Sequence, residues 1–161
     1  MQFNELAATH FEWVDQMGWH NKSMLETLGL IASEIGEAFA ECTGPVPSDA
    51  FGQELADIAL RLMDVAHGQN IDIDAEVRTC SPIWAVGRTV HCALGQLVVD
   101  LAKAINACRG DTLGPDFKPS LVSMLARVDV LGRLLPETSL ETEIRRKMDI
   151  NKARGTRGRR L

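Results

Sequence analysis

Residues 28–44, LGLIASEIGEAFAECTG, contain the pattern that decides the fold. Apolar residues recur along this stretch at steps of three and four, which is the spacing of one face of an α-helix. Residues 94–110, LGQLVVDLAKAINACRG, align with the same stretch without a gap. Two copies of one amphipathic helix in a chain of 161 residues predict a helical fold built from a repeated unit.

Helical signals also dominate on both sides of the first copy. Residues 2–17 show the same apolar spacing, and Ser23 opens a capping box, S-M-L-E, at the start of the repeated helix. TGPVP at 43–47 ends that helix, and further helices are expected at about 48–67 and 72–80. The sequence contains no sustained alternation of β-branched residues, so it predicts an all-α antiparallel helical bundle.

The repeat extends beyond these two helices at an almost constant offset. The same shift of 66 residues places Phe51 on Phe117 and Arg61 on Arg127. We therefore predict a single all-α domain over 1–161 that contains two duplicated helical units. Unit one spans about 20–80, a degenerate unit two spans about 86–150, and a basic tail covers 151–161.

Four acidic residues of unit one are less well retained in unit two than the apolar residues around them. The apolar positions survive in unit two, whereas three of the four carboxylates are replaced by other side chains. This is the pattern expected if the carboxylates serve chemistry and the apolar faces serve the fold. The matched residues are Glu34 and Asp100, Glu37 and Lys103, Glu54 and Ser120, and Asp57 and Ser123.

The spacing of these acids suggests a metal site. Residues at i and i+3 lie on one face of a helix, so Glu34 pairs with Glu37, and Glu54 pairs with Asp57 on the next helix. Four like charges beside apolar positions repel one another and lose hydration, and a divalent cation relieves both costs. Hard carboxylate oxygens favour Mg²⁺, or Mn²⁺. A solvated acidic helix face is the simpler alternative for any single pair.

The segments LGLIASEIGEAFAE and FGQELADIALRLMDVA resemble the MazG-like all-α nucleoside triphosphate pyrophosphohydrolases, which include the dimeric dUTPases and dCTPases. The resemblance implies an antiparallel bundle of MazG-like type. It also implies Mg²⁺-dependent conversion of a nucleoside triphosphate to a monophosphate and pyrophosphate, and a homodimer. Glu34, Glu37, Glu54 and Asp57 would bind the metal, and Glu37 and Glu34 are the catalytic candidates, with Glu37 the first choice for the general base. The family often has one more acid where this chain has Ser33.

The C-terminal segment KMDINKARGTRG at 147–158 is similar to the closing segment of many family members. The resemblance assigns phosphate contacts to Lys147, Asn151 and Arg154, with Arg157 a weaker candidate. Lysine and arginine neutralise phosphates, and positions i, i+4 and i+7 share one helical stripe. Trp19, together with His20 and Asn21, is a candidate for the base pocket, and core packing is equally consistent with Trp19.

Charge is distributed unevenly along the chain. Residues 145–161 hold eight basic residues and one acid, whereas the preceding residues hold nine basic and twenty-one acidic groups. This asymmetry suggests an anionic partner for the tail: nucleotide phosphates, nucleic acid, or the body's own carboxylates. An alternative function is therefore a non-catalytic helical adaptor that binds nucleic acid through the tail, although the acidic body argues against it.

The remaining totals exclude several classes of protein. No apolar run approaches the roughly 18–20 residues that a membrane span needs, so no membrane partner is expected. The acidic N-terminus lacks the features of a secretory signal, and the four scattered cysteines form no CxxC pair. We expect a cytoplasmic protein with reduced thiols and no zinc site.

Overall fold

A computed structural model describes residues 1–20, 23–44, 47–80, 89–109 and 112–155. Within these ranges the regular secondary structure is entirely helical, which confirms the predicted all-α class. Across the same ranges, the helices fall short of the length and hydrophobicity needed to cross a bilayer. The helices are α1 (Phe3–Gln16), α2 (Met24–Ala40), α3 (Phe51–Gly68), α4 (Ile73–Thr79), α5 (Val90–Ala107), α6 (Phe117–Gly132) and α7 (Leu140–Arg154).

Four helices form the centre of the bundle. Helices α2, α3, α6 and α5 pack in a closed ring, each against the next, while α1 and α7 both pack on α3. The short helix α4 lies against α6 and α1. Because α3 has neighbours on several sides, it carries buried residues around most of its circumference, including Phe51, Leu55, Ile58, Leu62 and Met63.

The helix starts follow the predicted caps, with one correction. Ser23 is the N-cap of α2, and its hydroxyl accepts a hydrogen bond from the Glu26 backbone N–H at 3.2 Å. The sequence T-S-L-E at 138–141 also predicts a capping box, opened by Thr138, but this prediction is wrong by one residue. Ser139 caps α7, accepting from the Thr142 N–H at 3.1 Å, because Ser139 has the extended backbone that an N-cap requires.

The third helix begins later than its apolar pattern suggested. The stripe predicted a start near Ser48, but α3 begins at Phe51. The Ser48 hydroxyl accepts a hydrogen bond from the Ala50 N–H at 3.2 Å, and this local turn replaces the first helical turn.

The helices of the two predicted units begin at matched positions. Helices α2 and α5 start at residues 24 and 90, α3 and α6 at 51 and 117, and α4 and α7 at 73 and 140. These offsets agree with the sequence alignment and support the duplication, which itself stays a prediction. The last pair differs in length, since α4 has 7 residues and α7 has 15.

A substitution at Gly132 would test the packing between the ends of α6 and α7. A Cβ at this position would lie 2.5 Å from the Leu140 Cβ, too close for either backbone to stay in place. We expect Gly132→Ala to lower the free energy of unfolding by about 1–3 kcal/mol. Gly36→Ala is the control, because a Cβ there meets nothing within 4 Å. It should raise stability by up to ~1 kcal/mol through helix propensity. Urea denaturation measures both, and equal stabilities for the two variants would contradict this packing.

Candidate active site

The α2–α3 hairpin brings three of the four predicted carboxylates together. Its helices are antiparallel, since Glu41 contacts Ser48 near the loop and Glu34 contacts Arg61 further along. One carboxylate oxygen each from Glu34, Glu54 and Asp57 lie within 4.8 Å of one another. Sequence spacing predicted the facing pairs, and the hairpin geometry places them across one helix interface.

Glu37, the fourth predicted acid, lies in the same cleft but outside that cluster. Its side chain is exposed, and the Ser33 hydroxyl approaches its Oε1 at 3.4 Å. Glu37 lines the cleft beside Glu34 and Asp57. It is therefore close enough to add to the local negative charge, while remaining open to solvent.

Burial makes this cluster electrostatically expensive. Glu34 is only 8 % exposed, and Glu54 Oε2 is buried without a hydrogen-bond partner among the described residues. Burial and the neighbouring Asp57 and Glu37 raise the pKa of Glu54. Burial also raises the pKa of Asp57, although a hydrogen bond from Lys147 opposes the shift. Both carboxyls therefore hold a proton more readily than they do in water.

Two cations partly neutralise the cluster. Arg61 donates to Glu34 Oε1 through Nε and Nη2, each at 2.6 Å. The Lys147 ammonium, which comes from α7, forms an ion pair with Asp57 Oδ2. Sequence reasoning did not assign Arg61 a role, although its match with Arg127 in the repeat was a usable signal.

The donor set fits a hard divalent cation. Three carboxylates from two helices converge, and the buried Glu54 oxygen has an unmet capacity to accept. Oxygen-only ligands of this kind suit Mg²⁺ or Mn²⁺ better than softer metals.

The basic stripe of α7 lines the same cleft as the acidic residues, and its Lys147 pairs with Asp57 there. Lys147, Asn151 and Arg154 all face the same opening of about 380 Å³ as Glu34, Glu37 and Asp57. The helix ends at Arg154, and Gly155 follows with a positive φ of 55°. Arg157 lies outside the described residues. The cleft is therefore lined by both acidic and basic side chains. Its volume suits a small-molecule ligand.

Aromatic residues form another part of the cleft lining. Trp13 of α1 and Trp19 after it meet edge to face, with ring centroids 4.8 Å apart. Both line the cleft. His20 instead lies with Nε2 3.2 Å from Asp64 Oδ1, and Asn21 is outside the described residues. The predicted position of Trp19 at the pocket is thus observed, while any contact with a base stays a prediction.

His10 is a cleft residue that sequence reasoning missed. It lies on the buried face of α1, at the spacing of the helix's apolar residues, and it is only 7 % exposed. Its Nδ1 has no hydrogen-bond partner among the described residues, yet the side chain lines the cleft. Burial, aided by the Arg61 charge, lowers the pKa of His10 to about 4. A neutral imidazole with an unpaired nitrogen can recognise a polar ligand group.

The matched cleft between α5 and α6 is neutralised from within. Asp100 is 4 % exposed and accepts hydrogen bonds from Ser123 at 2.7 Å, Arg127 at 3.0 Å and Lys103 at 3.2 Å. Burial alone would raise the pKa of Asp100, but these three hydrogen bonds outweigh it and lower the pKa. Asp100 and Arg127 repeat the pairing of Glu34 with Arg61. In the unit-two cleft the buried Asp100 is therefore compensated within the chain, while the cleft's other carboxylate, Asp116, is exposed at the N-cap of α6.

Comparison of the chain with protein-family models, curated proteins and solved structures finds no match. The resemblance to the MazG-like enzymes therefore depends on the quoted segments alone, and it stays a prediction. Support for a particular function therefore comes from the geometry of the cleft.

His10 makes protein stability depend on pH. Its pKa is 6.5 when unfolded and about 4 when folded, so the folded state disfavours protonation. The associated stability is fully present above pH 6.5 and is lost as the pH falls towards 4. The loss should reach about 3 kcal/mol. We expect His10→Gln to reduce the decline in unfolding free energy over this range, as measured by urea denaturation in a pH series. Identical pH profiles for both proteins would contradict the neutral, buried state of His10.

Proposed function

We propose that this protein is a Mg²⁺-dependent nucleoside triphosphate pyrophosphohydrolase that converts an NTP or dNTP to the monophosphate and pyrophosphate. One observation carries the proposal: three carboxylates of α2 and α3 (Glu34, Glu37 and Asp57) and the Lys147, Asn151 and Arg154 stripe of α7 line a single cleft. A metal–triphosphate complex has the matching charges, because its cation suits the acidic side chains and its phosphates suit the basic side chains. We also propose a house-cleaning role in cytoplasmic nucleotide pools.

Glu34, Glu54 and Asp57 would hold the metal, with Glu37 contributing from the rim. A bound Mg²⁺ supplies charge stabilisation for the phosphates and lowers the pKa of a coordinated water. Glu37 is the carboxylate best placed to accept a proton from the attacking water, because it is exposed in the cleft and lies outside the buried cluster.

Lys147, Asn151 and Arg154 would bind the phosphate chain. Their spacing puts one ammonium, one amide and one guanidinium along the same side of the cleft. Lysine and arginine donate charge-assisted hydrogen bonds to phosphate oxygens, and asparagine adds a neutral donor. The role of Arg157 stays a prediction from the resemblance.

The aromatic side of the cleft would accommodate the nucleobase. Trp13 and Trp19 offer flat apolar surfaces, and His10 offers a buried ring nitrogen beside them. Indole rings stack on bases, and a neutral imidazole can donate or accept one hydrogen bond.

We further propose that two copies associate, as the resemblance implies. Val98 and Val99 of α5 are 47 % and 44 % exposed, so α5 offers apolar surface that a second copy would cover. Sedimentation velocity distinguishes a homodimer from a monomer.

The adaptor alternative draws little support from the first three residues of the basic segment 145–161. Arg145 pairs with Glu141, Arg146 lies near Glu143, and Lys147 pairs with Asp57. These three cations therefore face the chain's own carboxylates, which is one of the partners that the charge asymmetry suggested.

The proposed activity predicts pyrophosphate release from at least one canonical NTP or dNTP in the presence of Mg²⁺. Glu34→Gln, Glu37→Gln and Asp57→Asn should each lower kcat/KM at least about 100-fold, since each removes a ligand or the base. Asp129→Asn is the control, because Asp129 pairs with Arg133 on the surface of α6. Its activity should match that of the wild type. Failure to turn over any of these triphosphates, in a folded protein that also binds no Mg²⁺, would refute the proposal.

The acidic cluster also predicts metal-linked stability. The pKa of Glu54 is raised in the folded protein, so ionising this carboxyl is destabilising. The free energy of unfolding therefore falls as the pH rises through the folded pKa. At pH 7.5 we expect Glu54→Gln to raise the Tm of the metal-free protein and to diminish the additional rise caused by Mg²⁺. Differential scanning calorimetry with and without Mg²⁺ measures both effects. A lower Tm without metal, together with an unchanged Mg²⁺ response, would contradict this account.

A further inference from the structure

We propose that Lys147 is a built-in counter-ion that competes with the metal for Asp57 and is released to the phosphates when a triphosphate binds. The inference rests on the proposed function and adds a regulatory step to the same site. Metal and triphosphate would then assist each other's binding, although neither would bind tightly alone.

The contact between Lys147 and Asp57 joins two groups with separate assignments. Lys147 belongs to the phosphate-facing stripe of α7, whereas Asp57 belongs to the carboxylate cluster of α3. Their side chains are only 15 % and 17 % exposed, so the ion pair is largely shielded from water. A shielded ammonium and a divalent cation on the same carboxylate repel each other strongly, because the local dielectric is low.

Lys147 can move away from its carboxylate more easily than Arg61 can. Arg61 lies on α3 itself, one turn beyond Asp57, and it binds Glu34 through two nitrogens. Lys147 comes from another helix and presents a point charge on a flexible stem. A phosphate oxygen entering along the stripe of Asn151 and Arg154 would offer Lys147 a new partner within the same cleft.

In the unit-two cleft, the carboxylate is neutralised by cations of the chain that stay in place. There Lys103 and Arg127 both bind Asp100, lysine replaces Glu37, and serine replaces Glu54 and Asp57. Without these partners Asp100 would be a lone buried charge. Because they already compensate it, no metal is needed there. In unit one, three converging carboxylates, of which Glu34 and Asp57 line the first cleft, share two cations, which leaves negative charge for a divalent ion once Lys147 moves.

The proposal makes two predictions of opposite sign for one substitution. Lys147→Met should lower the Kd for Mn²⁺ alone by about tenfold, within the ~5–150-fold range of typical site coupling. The same variant should raise the Kd for inorganic triphosphate, measured without metal in EDTA, by a similar factor. Electron paramagnetic resonance of free Mn²⁺ and titration calorimetry measure these constants without requiring turnover.

The controls separate this step from the proposed function. Lys147→Gln repeats the test if Lys147→Met folds poorly, and Lys103→Met, which removes the lysine of the unit-two cleft, should leave the Mn²⁺ Kd unchanged. Tighter Mn²⁺ binding that disappears in Lys147→Met/Asp57→Asn supports the exchange at Asp57. If the wild type binds Mn²⁺ and hydrolyses triphosphates but Lys147→Met binds Mn²⁺ no more tightly, the exchange is overturned while the enzyme stands. If neither protein binds Mn²⁺, both proposals fail.

Discussion

Repulsion among carboxylates is the constraint around which this molecule is organised. Glu34, Glu54 and Asp57 converge between two helices that also carry the core, and Glu37 lies at the rim. Concentrating negative charge beside apolar side chains lowers stability unless cations compensate it. The compensation comes from Arg61 within the hairpin and from Lys147 across the cleft. The position of α7 is thus linked to the charge of α2 and α3.

Helix α3 has to satisfy the core and the cleft together. Leu55, Ile58 and Leu62 are fully buried among neighbouring helices, while Glu54, Asp57 and Arg61 each immediately precede one of them in sequence. The helical period separates the two sets, because residues three and four apart share a face. Rigid packing of the apolar set then fixes where the charged set points, which is the condition for a preorganised site.

The two clefts of the bundle solve the same electrostatic problem differently. Each contains a carboxylate bound by an arginine from the facing helix, Glu34 with Arg61 and Asp100 with Arg127. In the second cleft, lysine and serine complete the compensation, and the pKa of Asp100 falls. In the first, further acids accumulate, and the pKa values of Glu54 and Asp57 rise. Perturbed carboxyls in a cleft are typical of functional sites.

The sequence by itself determined the helices and the faces they bury, because hydrophobic periodicity and capping are local properties. It also singled out Glu34, Glu37, Glu54 and Asp57 as candidates, since their i,i+3 spacing and the loss of three of them from the repeat are visible without coordinates. Only the tertiary structure decided that Lys147 meets Asp57, that His10 borders the cleft, and that Glu37 stays in solvent. These relations join residues far apart in the chain, and they depend on how α1 and α7 dock on α3, which no local pattern encodes.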